Sequence, residues 1–111
     1  MAYSQKQTSS NFINRNFLDN DCVITSAFET FSGRWTLQVL YCIHFGWNRF
    51  SLLKVQLKNI SDHILGLRLN KLIKNGLISK KEVDGEMIYV MTAKGKRLVK
   101  LLTQLGKWHL K

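Results

Sequence analysis

The stretch from Ile60 to Thr92 constrains the fold more than any other part of this chain, because three kinds of structural signal follow one another in it. Ser61 can cap a helix that has leucine at every third or fourth position and that Asn75-Gly76 can end. Two short runs of strand character follow, and the Asp84-Gly85 pair between them favours a type I′ hairpin turn. Thr92 can then cap another helix. A helix, a hairpin and a helix in this order predict a helix-turn-helix with a β-hairpin wing.

The residues before this stretch predict three further helices. These are residues 20–32, residues 35–46, and a shorter helix that opens at Asn48 or Ser51 and ends near Leu57. The second of them is apolar around most of its girth and is expected to be the central core helix. Residues 1–19 are expected to form a mobile arm, and residues 20–111 one domain. The predicted fold class is mainly α, with about five helices and a two- or three-stranded wing sheet.

The positive charge of the chain is unevenly distributed along its length. The formal net charge is +10. Residues 1–53 carry four basic and three acidic side chains, whereas residues 54–111 carry thirteen basic and four acidic ones. A lopsided basic half indicates a polyanionic partner, and in a helix-turn-helix chain it points to DNA. The alternative is a lysine-rich solvated surface without such a partner.

Other functional classes find little support in the sequence. No apolar run approaches the roughly 20 residues that a membrane span needs, and the first residues lack a secretory apolar stretch, so a cytoplasmic location is the default. The two cysteines lack CxxC spacing, so neither a disulfide scaffold nor a bound metal is expected. Because no carboxylate pair, Ser-His set or glycine-rich phosphate loop appears, the chain is not expected to be an enzyme or to need a cofactor.

Several short motifs occur in order between residues 21 and 108. They are Cys22 at the start of a helix; Gly33-Arg34-Trp35-Thr36-Leu37; Gly46 followed by Arg49-Phe50; Arg68-Leu69 before Gly76-Leu77-Ile78; Tyr89-Val90-Met91-Thr92 before Lys94-Gly95; and Trp108. Together they resemble the HxlR-type winged-helix transcriptional regulators, relatives of the MarR group. The chain departs from that pattern at Gly66, where Ser or Thr is usual, and at Met91, where Leu is usual. Its wing also lacks the prolines common in the family.

The resemblance implies that the helix capped by Ser61 is a recognition helix that enters the major groove of DNA. On its outward face, Asn70 can pair with adenine, and His63 can donate to guanine or phosphate. Lys71 and Lys74 are expected to contact phosphate rather than bases. Ser61 and the helix N-terminus suit a further phosphate. The alternative for all these residues is an ordinary solvated helix face.

Basic residues outside that face are further candidates for DNA contact. Arg49, just before the third helix, is placed to touch backbone phosphate. For Arg68 the resemblance implies a DNA or scaffold contact, and a structural ion pair is the alternative. Lys80 and Lys81 on the wing are expected to lie over the neighbouring minor groove or its phosphates. If about six such cations engage, binding should weaken steeply as salt rises.

The resemblance also implies a homodimer, because one recognition helix reads only a few base pairs and a palindromic operator needs two. The family pairs through its first and last helices. The residues expected at this contact are Phe28, Phe31, Leu98, Leu102, Leu105 and Trp108. The alternative is that these side chains pack the core of a single chain.

Cys22 is the candidate sensor, because relatives detect quinones, aldehydes or disulfide stress through a cysteine at this position. A helix N-terminus lowers the pKa of a thiol, although Asp21 opposes that effect. The alternative is a small buried packing residue. Cys42 is expected to be inert packing, and a Cys22–Cys42 bond is left open.

The sequence therefore predicts a sequence-specific DNA-binding transcriptional regulator, expected to be a dimeric repressor, with Cys22 as candidate sensor of an electrophile or oxidant. Two alternatives stay open. One is a general DNA-binding protein without thiol sensing, and the other is a winged-helix module that binds another protein.

Overall fold

The computed structural model describes residues 23–111, which belong to two compact units that meet in sequence between Thr30 and Phe31. In the first unit, residues 23–29 form helix α1. The Thr30 hydroxyl and N–H both donate to the Ala27 carbonyl oxygen at the end of this helix, at 2.6 and 3.1 Å. The expected mobile arm and the expected helix start near Asn20 lie outside the described residues.

The second unit contains four helices and one hairpin. They are α2 (Thr36–His44), α3 (Phe50–Gln56), α4 (Asp62–Lys74), β1 (Ile78–Val83), β2 (Glu86–Met91) and α5 (Ala93–His109). With α1, the five helices and the hairpin within residues 23–111 confirm the predicted winged helix-turn-helix fold. None of the helices in this range is long and apolar enough to cross a bilayer.

Helix α2 runs through the core, as its apolar sequence predicts. Its buried side chains are Thr36, Val39, Leu40 and Ile43. The Thr36 hydroxyl donates to the Ser32 carbonyl oxygen at 3.0 Å, so its burial leaves no unpaired hydroxyl. The helix ends at His44, and Gly46 follows with a φ of 106°, which lets the chain turn towards α3.

Helix α3 begins at Phe50, and Arg49 occupies its capping position without a side-chain cap. The expectation that Asn48 or Ser51 opens this helix was therefore wrong. Tertiary structure explains the difference, because the Asn48 carbonyl oxygen accepts a hydrogen bond from the Tyr89 N–H at 2.9 Å. That bond ties Asn48 to strand β2 and leaves the helix to start after it.

Helix α4 begins and ends as its sequence predicts. The Ser61 hydroxyl oxygen accepts a hydrogen bond from the Ile64 N–H at 3.0 Å, which is the expected cap. At the other end, the Asn75 side-chain amide donates to the Lys71 carbonyl oxygen at 3.0 Å, and Gly76 follows with a φ of 74°. Leu65, Leu69 and Leu72 are buried, so one face of the helix packs into the core.

Strands β1 and β2 form a two-stranded antiparallel sheet in which Ile78 pairs with Met91 and Val83 pairs with Glu86. The turn between them is the predicted one, because Asp84 and Gly85 both have positive φ, at 53° and 79°. Ile78 and Tyr89 are buried and Met91 is half-buried, whereas the residues next to the turn are exposed.

Helix α5 approaches the start of β1 so closely that only glycine fits at position 95. Thr92 caps the helix by accepting from the Gly95 N–H at 3.0 Å and donates to the Gly76 carbonyl oxygen at 2.5 Å. A Cβ at position 95 would overlap the carbonyl oxygen of Leu77. Glycine ordinarily weakens a helix, but the packing requires it at this position.

We predict that Gly95→Ala lowers the free energy of unfolding by about 2 kcal/mol, because the new methyl group would meet the backbone of Leu77, just before β1, rather than a movable side chain. Gly106→Ala is the matched control in the same helix. A Cβ there meets nothing within 4 Å, so the change should raise stability by about 0.5–1 kcal/mol. Urea denaturation followed by circular dichroism measures both, and two variants of equal stability would contradict this packing.

Candidate nucleic-acid interface

The outward face of α4 presents polar and basic side chains to solvent. His63, Asn70 and Lys74 are exposed, and Leu67 between them is 44% exposed. They lie opposite the buried leucines, which is the arrangement that the helical period predicts. The half-buried Gly66 leaves open space on this part of the helix, since nothing lies within 4 Å of where its Cβ would be. A ligand that approaches α4 from outside therefore meets a compact polar surface.

The turn between α3 and α4 is fastened by a lysine that sequence reasoning missed. The Lys54 ammonium donates to the Ile60 carbonyl oxygen at 2.5 Å and lies 3.0 Å from the Asp62 carboxylate. These contacts join α3 to the first turn of α4 and so help fix the angle between the two helices. Local sequence patterns do not reveal this role, because the contacts form only once the turn has folded.

Two cations on α4 contact the turn that precedes α2. The Arg68 Nε donates to the Arg34 carbonyl oxygen, and the Lys71 Nζ donates to the Ser32 carbonyl oxygen, each at 2.6 Å. Arg68 therefore makes the scaffold contact, one of the alternatives left open by the sequence. Because both acceptors are neutral carbonyl groups, the two side chains keep their full positive charge on this side of α4.

The turn from Ser32 to Trp35 is shaped to receive these cations. Gly33 has a φ of 103°, and a Cβ there would lie 3.8 Å from both the Arg68 guanidinium carbon and the Lys71 Nζ. The Arg34 guanidinium lies 5.4 Å from the centre of the Trp35 ring, within the range of a cation–π contact. The 3.8 Å distances are ordinary van der Waals contacts, so glycine is favoured at position 33 by its positive φ rather than by a lack of space.

The wing carries less positive charge than the excess of basic residues in residues 54–111 suggested. Lys80 and Lys81 are exposed on β1, as predicted. However, residues 78–91 contain two basic and three acidic side chains, so the hairpin as a whole is slightly acidic. Residues 93–111, by contrast, contain six basic side chains and no acidic one. Much of the charge in the basic half therefore belongs to α5 and the residues after it.

Arg49 links the start of α3 to the wing. Its Nε lies 3.2 Å from a carboxylate oxygen of Glu86, the first residue of β2. The contact is an ion pair without hydrogen-bond geometry at Nε. Both side chains are partly exposed, so the pair lies at the surface that joins the helix-turn-helix to the hairpin.

The side chains expected at a dimer contact are distributed between the surface and the core. Leu105 and Trp108 on α5 are 47% and 71% exposed, and Phe28 on α1 is 52% exposed. Phe31 is buried in the core, and Leu98 and Leu102 are partly buried and pack against the core cluster. Leu101 was missed, although it is 63% exposed and precedes Leu105 and Trp108 by four and seven residues, a helical spacing that could have revealed it.

The described cysteine is a packing residue. Cys42 is half-buried on α2 and packs against the core, and burial raises the pKa of its thiol, which disfavours the reactive thiolate. Cys22 lies outside the described residues. Within residues 23–111, no group of three or more metal-binding side chains occurs.

Comparisons with known proteins agree with this geometry. The sequence profile of the HxlR-like helix-turn-helix family matches residues 30–111. The chain is 31% identical over 85 residues to YvaP of Bacillus subtilis, an uncharacterised HTH-type transcriptional regulator, across 74% of this chain and 79% of that protein. Relatives of this kind are named as regulators, not as enzymes.

Solved structures of regulators share the fold. A transcriptional regulator of the MarR family from Enterococcus faecalis superimposes with a TM-score of 0.74 at 26% identity, covering 80% of this chain and 84% of that one. The quinone-bound form of YodB from B. subtilis superimposes with a TM-score of 0.68 at 26% identity, covering 78% and 93%. The site geometry, the profile match and these relatives together show that the chain belongs to the HxlR-like helix-turn-helix family of transcriptional regulators.

Proposed function

We propose that the protein is a dimeric, sequence-specific repressor that inserts α4 into the major groove of DNA. The observation that carries this proposal is the two-sidedness of α4, whose inner face is buried while His63, Asn70 and Lys74 face solvent. The major groove is wide enough to admit one α-helix and offers a distinct pattern of donors and acceptors for each base pair. A DNA-binding role also agrees with the cytoplasmic location expected from the sequence.

Each exposed polar residue of α4 has a chemical role in this proposal. The Asn70 amide can donate to and accept from one adenine, and His63 can donate to guanine or phosphate. Ser61 already accepts a hydrogen bond from the Ile64 N–H, but its hydroxyl proton is still available for a phosphate oxygen. Lys74 would contact phosphate at the other end of the helix.

The remaining cations would contribute sequence-independent affinity. Arg68 and Lys71 hold the turn before α2 and keep their charge, so they attract phosphate while they orient α4. Lys80 and Lys81 would contact phosphates beside the groove. Because neutralised phosphates release counterions, we expect affinity to fall steeply with salt.

We propose that the apolar surface of α5 is buried against a second copy of the chain. Leu101, Leu105 and Trp108 are exposed, and their spacing places them on one side of the helix. Contiguous apolar surface of this kind marks an interaction site. Two-fold pairing would present two α4 helices to a palindrome with half-sites about one helical turn apart.

Thiol sensing enters the proposal by analogy with a solved regulator of the same fold. YodB, which shares the fold at 25–26% identity, has been solved in reduced, diamide-treated and quinone-bound forms. By analogy, we propose that Cys22 reacts with an electrophile or oxidant and thereby releases DNA. Burial raises the pKa of the Cys42 thiol, which leaves Cys22 as the better candidate of the two thiols. A regulator without thiol sensing is the alternative.

Asn70→Ala is expected to reduce discrimination between the operator and random DNA by about five- to a hundredfold, because one bidentate base contact is worth about 1–3 kcal/mol. Lys74→Ala is the control on the same exposed face, and it should weaken binding to both kinds of DNA by a similar factor. Fluorescence anisotropy with a selected operator and a random duplex measures this. Equal losses for Asn70→Ala on both duplexes would refute a base-reading role.

Leu101→Glu should shift the protein from dimer to monomer, with the dissociation constant raised at least about thirtyfold, because a buried leucine contributes about 2 kcal/mol or more to an interface. Lys107→Glu is the control, since it places a glutamate at an exposed position on another side of α5. Sedimentation velocity separates the two states. A dimeric Leu101→Glu variant, or a monomeric wild type, would contradict the proposed interface.

Cys22→Ser should bind DNA like the wild type before treatment and should keep binding after diamide or quinone, whereas the wild type should be released. Cys42→Ala is the control and should still respond, because burial raises the pKa of that thiol and so disfavours the reactive thiolate. Anisotropy before and after treatment gives the result. A Cys22→Ser variant that responds like the wild type would exclude this thiol as the sensor.

A further inference from the structure

The start of α3 is anchored beside the wing at two successive residues. The Asn48 carbonyl oxygen accepts a hydrogen bond from the Tyr89 N–H at 2.9 Å. The next residue, Arg49, occupies the capping position of α3 in an extended conformation and reaches the Glu86 carboxylate with its side chain. Arg49 therefore lies at the junction of helix α3 and the wing.

One edge of the Arg49 guanidinium group is covered, and the rest of the side chain is accessible to solvent. Its Nε lies 3.2 Å from Glu86 and is shielded from solvent, yet the side chain as a whole is 43% exposed. An anion from solvent must therefore approach the terminal guanidinium nitrogens rather than Nε. A planar guanidinium has five N–H donors, so it can face a carboxylate along one edge and a phosphate along another.

Glu86 differs in this respect from the other acidic residue on the strands of the wing. Glu82 lies on β1 and has no ion pair among the described residues. An unpaired carboxylate beside a polyanion repels it. A carboxylate that holds an arginine in place can have the opposite effect, because it fixes the direction in which the cation points.

We propose that Glu86 is a positioning residue for DNA binding, an acidic side chain that strengthens binding by holding Arg49 so that its open side meets a backbone phosphate. This inference rests on the proposed function and adds a specific contact to it. A freely rotating Arg49 would lose side-chain entropy on binding phosphate, whereas the paired one has already lost much of it. A lysine could not serve in the same way, since a point charge lacks the two-edged fork.

The test compares Glu86→Ala with Glu82→Ala, two variants that each remove one negative charge from the wing. The probe is a random-sequence duplex of about 30 base pairs, long enough for two half-sites, titrated by fluorescence anisotropy at several salt concentrations. Glu86→Ala should weaken binding about two- to fivefold and flatten the salt slope by up to about one, as expected when one phosphate contact is lost. Glu82→Ala should strengthen binding by about twofold, because a repelling charge is removed.

The same pair of changes in an Arg49→Gln background separates positioning from a merely structural effect. Without the guanidinium, Glu86→Ala should no longer weaken binding and should behave like Glu82→Ala. If Glu86→Ala instead strengthens binding in the wild-type background, or weakens it equally with and without Arg49, the inference is overturned while the proposed function stands. A wild type that binds no duplex would overturn both.

Discussion

Burial of one face of α4 is the constraint on which the proposed DNA-binding surface depends. Leu65, Leu69 and Leu72 are at most 1% exposed, and burying each contributes about 2 kcal/mol. A rotation of the helix that returned one of them to solvent would cost about that much, so the opposite face, with His63 and Asn70, has a fixed direction. The polar contacts of Lys54, Arg68 and Lys71 then hold the ends and flank of a helix whose rotation is already set by its core.

Close backbone packing supplies the second constraint, because it connects the wing to the last helix. Gly95 brings the first turn of α5 against the carbonyl group of Leu77, and Thr92 joins that turn to Gly76 at the end of α4. The end of α4, the start of the wing and the start of α5 therefore meet at one point. Helix α5, with its exposed apolar side chains, extends from this junction, so a partner that binds α5 would contact an element packed directly against the proposed DNA-binding surface.

Much of the fold could be predicted because its signals are local. The Ser61 cap, the Asp84-Gly85 turn and the leucine period of α4 each depend on residues close in sequence, and all three are confirmed. Features that arise from tertiary contacts could not be predicted in this way. The Arg49–Glu86 pair joins residues far apart in the chain, the need for Gly95 comes from the approach of the Leu77 backbone, and the hydrogen bond at Asn48 displaced the predicted start of α3. Burial of Phe31 likewise depends on tertiary packing, which a helical wheel cannot show.

The insertion of α4 into the major groove can be tested most directly by methylation protection on DNA fragments that the protein selects from the genome encoding it. Dimethyl sulfate modifies guanine N7, which lies in the major groove. The account predicts two patches of protected guanines, centred about ten base pairs apart, as expected for two α4 helices on successive turns. Bound DNA in which guanine N7 stays fully reactive, or protection spread evenly along the fragment, would contradict it.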